Sequence, residues 1–393
     1  MKKLYIRRES FGAMLYAPEI GSSIFIDHAI LEQIEKDIST VASVLGCEDR
    51  TPVEEDIEII LVSSTPKVGG LSAPIKAFFN VTKRCNLYCT HCYNGSGERD
   101  SKELPISLVE SAFRSLRDAG IFRVTLAGGE PLFHRNFDQI ALCAGECDLS
   151  ISIVTNGIPL SRQRASLLAD CPHVRSITVS LDGATEQTND RIRGAGAFRL
   201  TLRGLRQLTD LFPGSLSLRM TLCRSNVPEM TRYIELAKAL GIREIKANRL
   251  NLYGRGKSLL SEELSSGEFV AARDLFISLA RDAGIRLEIP SYKYQSTKDS
   301  QIGLCRAGEE AIEIDSDGSV YPCSFTFGQF SQGNLYTESL DQILERMRSF
   351  TINNPWCLAC KGRGGTAEKV AGYVPVLVRN TAGATSLFEL RSS

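Results

Sequence analysis

The sequence predicts an α/β protein centred on a partial (βα)6 TIM-like barrel, with a small α+β module before it and a cysteine-bearing module after it. Three observations carry that prediction. Apolar strand patterns at KAFFNV, FRVTLA, LSISIV, RSITVSL, SLSLRMTL and REIKANRL are each followed by a helical stretch, the alternation that builds a parallel sheet with right-handed crossovers. Ahead of Ile75 the pattern is different, with short strands and one amphipathic helix. Beyond about Pro290 the strand-helix rhythm stops and cysteines spaced around an Asp-Gly turn take over. The expected divisions are therefore 1–74, 75–290 and 291–393.

Taken in order, LYIRR, AMLYA and SSIFID read as the strands of the first module, and about His28 to Leu45 as its helix. The polar EDRTPVEED and the turn-rich STPKVGG mark its end. Six strand-helix units follow, and a sheet of that kind places function at the C-terminal ends of its strands. In the last segment AIEIDSDGSVYPC reads as a hairpin and ESLDQILERMRSF as a helix, while the final thirty residues carry no motif.

Composition narrows the function classes. Lysine plus arginine and aspartate plus glutamate balance at 46 each, which gives no pull towards nucleic acid or an anionic membrane. The chain contains no apolar run of membrane-spanning length, and MKKLYIRRES runs into charge rather than a signal core, so a soluble cytoplasmic protein is expected. Twelve cysteines spread over 393 residues without an export signal point to metal binding rather than disulfides.

Cys85, Cys89 and Cys92, spaced CxxxCxxC in FNVTKRCNLYCTHCY, fall in the loop after the first barrel strand. Three soft thiolates on a tight loop suit three irons of a cubane and leave a fourth iron open to a small molecule. A zinc knuckle is the alternative, and it wants a fourth ligand that His91, between two of the cysteines, is badly placed to supply.

With Tyr93 following Cys92, this loop resembles that of the radical S-adenosylmethionine (SAM) superfamily, over about residues 76 to 250. The resemblance implies a [4Fe-4S] cluster on Cys85, Cys89 and Cys92 and reductive cleavage of SAM to a 5′-deoxyadenosyl radical that abstracts hydrogen from carbon. It also implies that AGGEP brings Gly128 and Gly129 close to the cofactor, with Glu130 on its ammonium. Asn156, Ser180 and Asp182, on the third and fourth strand ends, would face ribose and carboxylate. Arg193 would pair with the methionine carboxylate, or else be a solvated surface charge. Asn248 and Arg249 would line the adenine or substrate pocket, and Arg219, Tyr253 and Arg255 are candidates for acid-base help.

Cys305 and Cys323, in a Cx12Gx4C arrangement about Gly318, with Cys357 and Cys360 as a later CxxC, supply four more thiolates. They resemble the family's C-terminal auxiliary-cluster extensions. The four-cysteine count fits the short twitch form, with one auxiliary [4Fe-4S] cluster moving electrons, rather than the seven-cysteine SPASM form; zinc is the alternative occupant. Cys47, Cys143, Cys147, Cys171 and Cys223 read as small buried hydrophobes.

RRESFGAMLYAPEIGSSIFID resembles peptide-recognition modules that capture a leader by strand addition, which favours a maturase of ribosomally made precursor peptides. The module as a generic cover over the barrel is the other reading. An enzyme acting on a small metabolite, such as a sugar, aminocyclitol or tetrapyrrole precursor, is the alternative function, and an iron-sulfur electron carrier the non-enzymatic one. A flavodoxin or ferredoxin is the expected electron donor.

Overall fold

The computed structural model describes residues 2–38, 57–67, 71–97, 99, 102–212, 214–289, 308–324, 326 and 330–348, together with the strand backbones of 375–379 and 385–389. The first sheet comes from β1 (Lys2–Glu9), β2 (Gly12–Ala17), β3 (Ser22–Asp27) and β4 (Ile57–Val62). Helix α1 (His28–Lys36) follows β3 and starts where the Asp27 carboxylate accepts from the Ile30 amide at 2.9 Å. The remainder of the longer helix expected there, to Leu45, lies outside the described residues.

The large sheet contains the six expected strands, β5 (Lys76–Thr82), β6 (Arg123–Gly128), β7 (Ser150–Thr155), β8 (Val174–Ser180), β9 (Leu216–Leu222) and β10 (Glu244–Arg249). It is wider than expected. Short strands β11 (Arg286–Glu288) and β12 (Ala311–Ile314) extend it in parallel at either side, and β13 (Ser319–Tyr321) and β14 (Gly333–Asn334) add an antiparallel border beyond β12. The hairpin expected around Asp317-Gly318 thus joins the barrel sheet instead of standing apart.

The last thirty residues, blank to motif reading, supply β15 (Pro375–Arg379) and β16 (Thr385–Glu389), which pair with one another and extend the first sheet through β3. The first sheet therefore combines chain from both ends of the sequence, and strand pairing crosses the divisions expected at 74/75, through β15 on β3, and at 290/291, through β12 on β5.

Side chains alternate across the large sheet with a clear chemical division. Phe79, Leu126, Ile153, Val179, Met220 and Ile245 face the helix layer and join the main core, where Phe79 meets Phe113 of α2 (Ile106–Asp118) edge-on at 5.2 Å. The opposite, inner face is polar. Ser176 and Ser152 share a hydrogen bond at 2.9 Å, as do Thr178 and Ser217. Closed barrels fill this space with branched apolar residues, so a polar lining marks an interior built to receive something.

The first module docks on the strand starts. Arg7 is fully buried, donating to Glu9 at 2.8 Å and to the carbonyls of Pro74 and Gly120 at 3.0 and 2.9 Å. Glu9 in turn accepts from the amide and hydroxyl of Ser72. Tyr16 stacks on Phe122 at 4.3 Å and bonds Ser150, Tyr5 bonds the Asp148 carboxylate at 2.5 Å, and Arg175 bonds the Pro18 carbonyl. All these partners lie at or just before the starts of β5 to β8. The module thus closes the end of the barrel opposite the cysteine loop, and as a cover it shields the wrong rim for guarding the site.

Burial alone lowers the Arg7 pKa and raises that of Glu9, so each group makes the other tolerable. Arg7→Ala, which strands the Glu9 carboxyl, is expected to cost about 3–5 kcal/mol in denaturant unfolding, and replacing both residues by apolar ones of similar volume to cost far less.

Candidate functional site

The chain leaves β5 at Thr82 and folds the cysteine loop across the C-terminal rim. AGGEP, at the end of β6, holds that loop by backbone alone. The amides of Gly129 and Glu130 donate to the carbonyls of Thr82 and Arg84 at 2.7 and 2.8 Å. A Cβ on Gly128 or Gly129 would lie 2.3 Å from one of those same two oxygens, so the close approach requires glycine.

Cys85 and Cys89 are buried and Cys92 half-buried. The Asn156 amide group donates to the Asn86 side chain at 2.7 Å and lies 3.9 Å from the Cys85 sulfur, while the Leu87 amide reaches that sulfur at 3.5 Å. Asn156 therefore steadies the loop around a thiol. Burial pushes the Cys85 thiol up to about 12 and also raises Cys89, so these groups hold their protons until a metal displaces them.

The three thiols feel one another's charge, and three soft thiolates on one loop are a donor set that fits the corner of an iron-sulfur cluster.

Asp182, at the end of β8, is fully buried and is the hub of the rim. Its carboxylate meets His91 Nε2 at 2.6 Å, Arg193 Nε at 2.7 Å and the Thr221 amide at 2.7 Å. Burial acts to raise its pKa, but Arg193 and His91 beside it prevail and hold the carboxyl well below its usual range. Arg193 closes helix α5 (Glu186–Arg193) and is itself buried, so it is no solvated surface charge. Both members of this pair, expected to face the cofactor, are engaged with one another.

Glu130 is also wholly internal. Its oxygens accept from the Thr155 hydroxyl at 2.7 Å, the Asn156 amide at 2.7 Å and the Leu132 amide at 3.3 Å. Burial nevertheless pushes its carboxyl up to about 7. The Glu130 carboxylate ties the end of β7 to the end of β6, while its backbone amide holds the cysteine loop at the Arg84 carbonyl.

Ser180 and Asn248 lie half-buried on the inner face at the ends of β8 and β10, and Tyr93 directly follows the loop. Arg249 turns the other way, donating to the Leu264 carbonyl at 2.7 Å and lying over the Phe269 ring of α8 (Ser266–Asp282). It is not a pocket residue. Cys323 is half-buried just after β13, while Cys305, Cys357 and Cys360 lie outside the described residues. Cys143, Cys147, Cys171 and Cys223 are buried as expected; Cys47 lies outside the described residues.

Arg255 has a role that acid-base reasoning missed. It donates from Nε to the Cys89 carbonyl and from Nη1 to the Ser96 carbonyl, both at 2.8 Å, and lies 3.8 Å over the Tyr88 ring. Its own amide reaches the Cys92 carbonyl at 3.0 Å. Gly254, with φ of 56°, lets the chain pass where a Cβ would strike the Tyr93 carbonyl at 2.3 Å. The sequence signal is an Arg between two glycines just past the sixth strand. Arg255→Ala is expected to loosen the cysteine loop, with cluster iron lost roughly tenfold faster under a chelator at unchanged overall fold.

A family model described as the radical SAM superfamily matches residues 79–237, and one described as a SPASM iron-sulfur cluster-binding domain matches residues 305–361. The latter span contains Cys305, Cys323, Cys357 and Cys360. The mycofactocin maturase MftC of Mycobacterium ulcerans is 30% identical over 314 residues, 77% of this chain and 83% of that protein. The AdoMet-dependent heme synthase of Methanosarcina barkeri is 28% identical over 320 residues, 76% of this chain and 89% of that protein. The crystal structure of Streptococcus suis SuiB bound to precursor peptide SuiA superimposes with a TM-score of 0.68 at 17% identity, over 91% of this chain and 93% of that one, which establishes the common fold. This chain belongs to the radical SAM superfamily as a SPASM-domain enzyme that uses SAM, a SAM-binding [4Fe-4S] cluster and an auxiliary iron-sulfur cluster.

Proposed function

We propose that this enzyme modifies a ribosomally made precursor peptide, with Cys85, Cys89 and Cys92 holding the SAM-binding cluster and Cys305, Cys323, Cys357 and Cys360 the auxiliary one. The observation that carries the site assignment is the three-thiol loop, braced by Gly128-Gly129, Asn156 and Arg255 at the open rim of a polar-lined barrel. The bound cofactors supply the 5′-deoxyadenosyl radical that takes hydrogen from carbon. Asn156 and Arg255 keep the thiols in place, and Asp182 with Arg193 fixes the rim at which the cofactors would be held. Ser180 and Asn248 offer polar contacts on the inner face. A small flavodoxin or ferredoxin would deliver the electron.

Peptide as substrate is supported by the maturase relative and by the SuiB fold, whose solved complex holds a precursor peptide. It is supported as well by the first module, where β4 forms the outer edge of its sheet and exposes Ile59 and Leu61, 45% and 64% accessible. An exposed apolar edge strand invites another strand. Among the described residues the two outer edges of this sheet are β16 and β4, and the exposed apolar side chains of β4 favour it as the place for a leader.

A small-molecule reading keeps support from the heme synthase relative, which makes an iron tetrapyrrole the substrate to compare. No helix among the described residues is long and apolar enough to cross a membrane.

The test is a search for a short open reading frame beside the gene and co-production of the enzyme with the peptide it encodes, followed by mass spectrometry. A mass change in the peptide that disappears with Cys89→Ala is the expected result. An unmodified peptide, with SAM cleavage stimulated by an iron porphyrin instead, would move the assignment to the tetrapyrrole.

A further inference from the structure

Arg7, Arg193 and Arg249 each enter the interior with a carboxylate, Glu9 at 2.8 Å, Asp182 at 2.7 Å and Glu263 at 3.5 Å. Arg219 does not. It lies on β9 between Leu218 and Met220, which join the core, and so stands on the opposite, polar face of the sheet. Its Nε is buried without a hydrogen-bond partner, and no carboxylate among the described residues comes within ion-pair distance of it. Burial lowers its pKa, and the charges it feels are those of Tyr93 and Glu288. A guanidinium still keeps its proton at every working pH, so Arg219 is a standing internal cation rather than the acid-base group expected from its position.

The row around it sharpens the charge. Ser180 of β8, Arg219 of β9 and Lys246 of β10 are register neighbours, and Glu288 of β11 follows Lys246. Adjacent strands stand about 4.8 Å apart, which puts two cations side by side. Lys246 is loosely held, with Glu244 at 3.9 Å and Glu288 at 3.8 Å, both beyond hydrogen-bond reach. Glu244 is drawn off by Arg286 at 2.8 Å, and the Glu288 side chain is 69% exposed. The acid across the interior, Glu313, is occupied by Asn80 and Ser324. Like charges opposite one another on a sheet repel, and a buried cation that lacks its counter-ion costs stability. An anion lodged between the two removes both costs.

We propose that Arg219, flanked by Lys246 and Ser180, binds a carboxylate of the substrate peptide, either its C-terminal carboxylate or the side chain of an aspartate or glutamate. The inference rests on the peptide-modifying reading above and adds what the peptide must carry. The guanidinium fork matches a carboxylate through two parallel hydrogen bonds, Lys246 adds a point charge, and the Ser180 hydroxyl donates a further bond. Depth separates this anchor from the cofactor. Arg219 lies two residues below Thr221, whose amide holds the rim hub Asp182, and two strand residues span roughly 7 Å. A group that chelates a cluster iron stays with the cysteine loop at the rim, whereas a peptide reaching into the barrel arrives at Arg219. Anchored there, a carboxylate fixes which carbon of the peptide stands under the loop.

The test uses the full-length reconstituted enzyme with SAM, dithionite and the peptide identified by the co-production experiment, and compares KM values. Arg219→Gln is expected to raise the peptide KM about thirtyfold, with Arg219→Lys recovering much of the loss and the SAM KM changing far less. Peptide variants identify the carboxylate without altering the enzyme. Amidation of the C-terminus, or replacement of each acidic residue by its amide in turn, should raise the wild-type KM by a similar factor at one position and add little in Arg219→Gln. An unmodified peptide would remove the peptide reading and this anchor with it. A modified peptide whose KM ignores amidation and every such replacement would overturn the anchor alone. So would a SAM KM that rises as far as the peptide KM in Arg219→Gln, which gives the anion to the cofactor.

A second readout involves no turnover. Arg219→Met removes the unpaired cation from the interior, so without peptide the variant is expected to melt about 2 °C or more above wild type. A structural arginine would give the opposite sign, and a lower melting temperature would overturn the role.

Discussion

The cysteine rim depends on one buried charge. Asp182 joins the cysteine loop through His91, helix α5 through Arg193 and strand β9 through the Thr221 amide, while its own backbone is held by Asn189 and Asn226. A lone carboxylate at that depth would neutralise itself by taking up a proton. The adjacent guanidinium and imidazole keep it ionised, and ionisation is what lets it grip three separate elements at once. The loop carrying Cys85, Cys89 and Cys92 is thus positioned by the barrel wall as well as by its own sequence.

The same logic extends outward in layers. Gly128 and Gly129 allow a backbone clamp on one side of the loop, Arg255 grips its carbonyls on the other, and Asn156 reaches the thiol end. Catalysis at a metal corner needs its ligands held in place before the metal arrives, and these contacts use rigid strand ends to do so. Around them, the division of the sheet into an apolar helix side and a polar inner side separates stability from chemistry. The core can be packed fully without obstructing the interior.

Much of this was legible in the sequence, because strand patterns and ligand spacing are local. All six barrel strands and the three-cysteine loop follow from such signals. What escaped depends on partners far apart in the chain. Glu130, Asp182 and Arg193 are read as cofactor contacts on motif grounds, and the protein partners that hold them, which only the folded topology brings near, leave no signal in the sequence. Arg249 sits one residue from Asn248 and so faces the opposite side of the sheet, a consequence of the two-residue strand period. The placement of the first module at the strand starts was equally hidden, since its joint is built from Arg7, Tyr5 and Tyr16 meeting residues over a hundred positions away. The short edge strand β11 carries too few residues for a periodic signal.

The most direct test of the central claim is electron paramagnetic resonance of the anaerobically reconstituted, dithionite-reduced enzyme before and after SAM is added, with iron counted on the same sample. If Cys85, Cys89 and Cys92 hold a cluster with one open iron, SAM will shift its signal and 5′-deoxyadenosine will accumulate, at about eight irons per chain for two four-iron clusters. A reduced cluster whose signal ignores SAM, with no 5′-deoxyadenosine formed, would contradict the account.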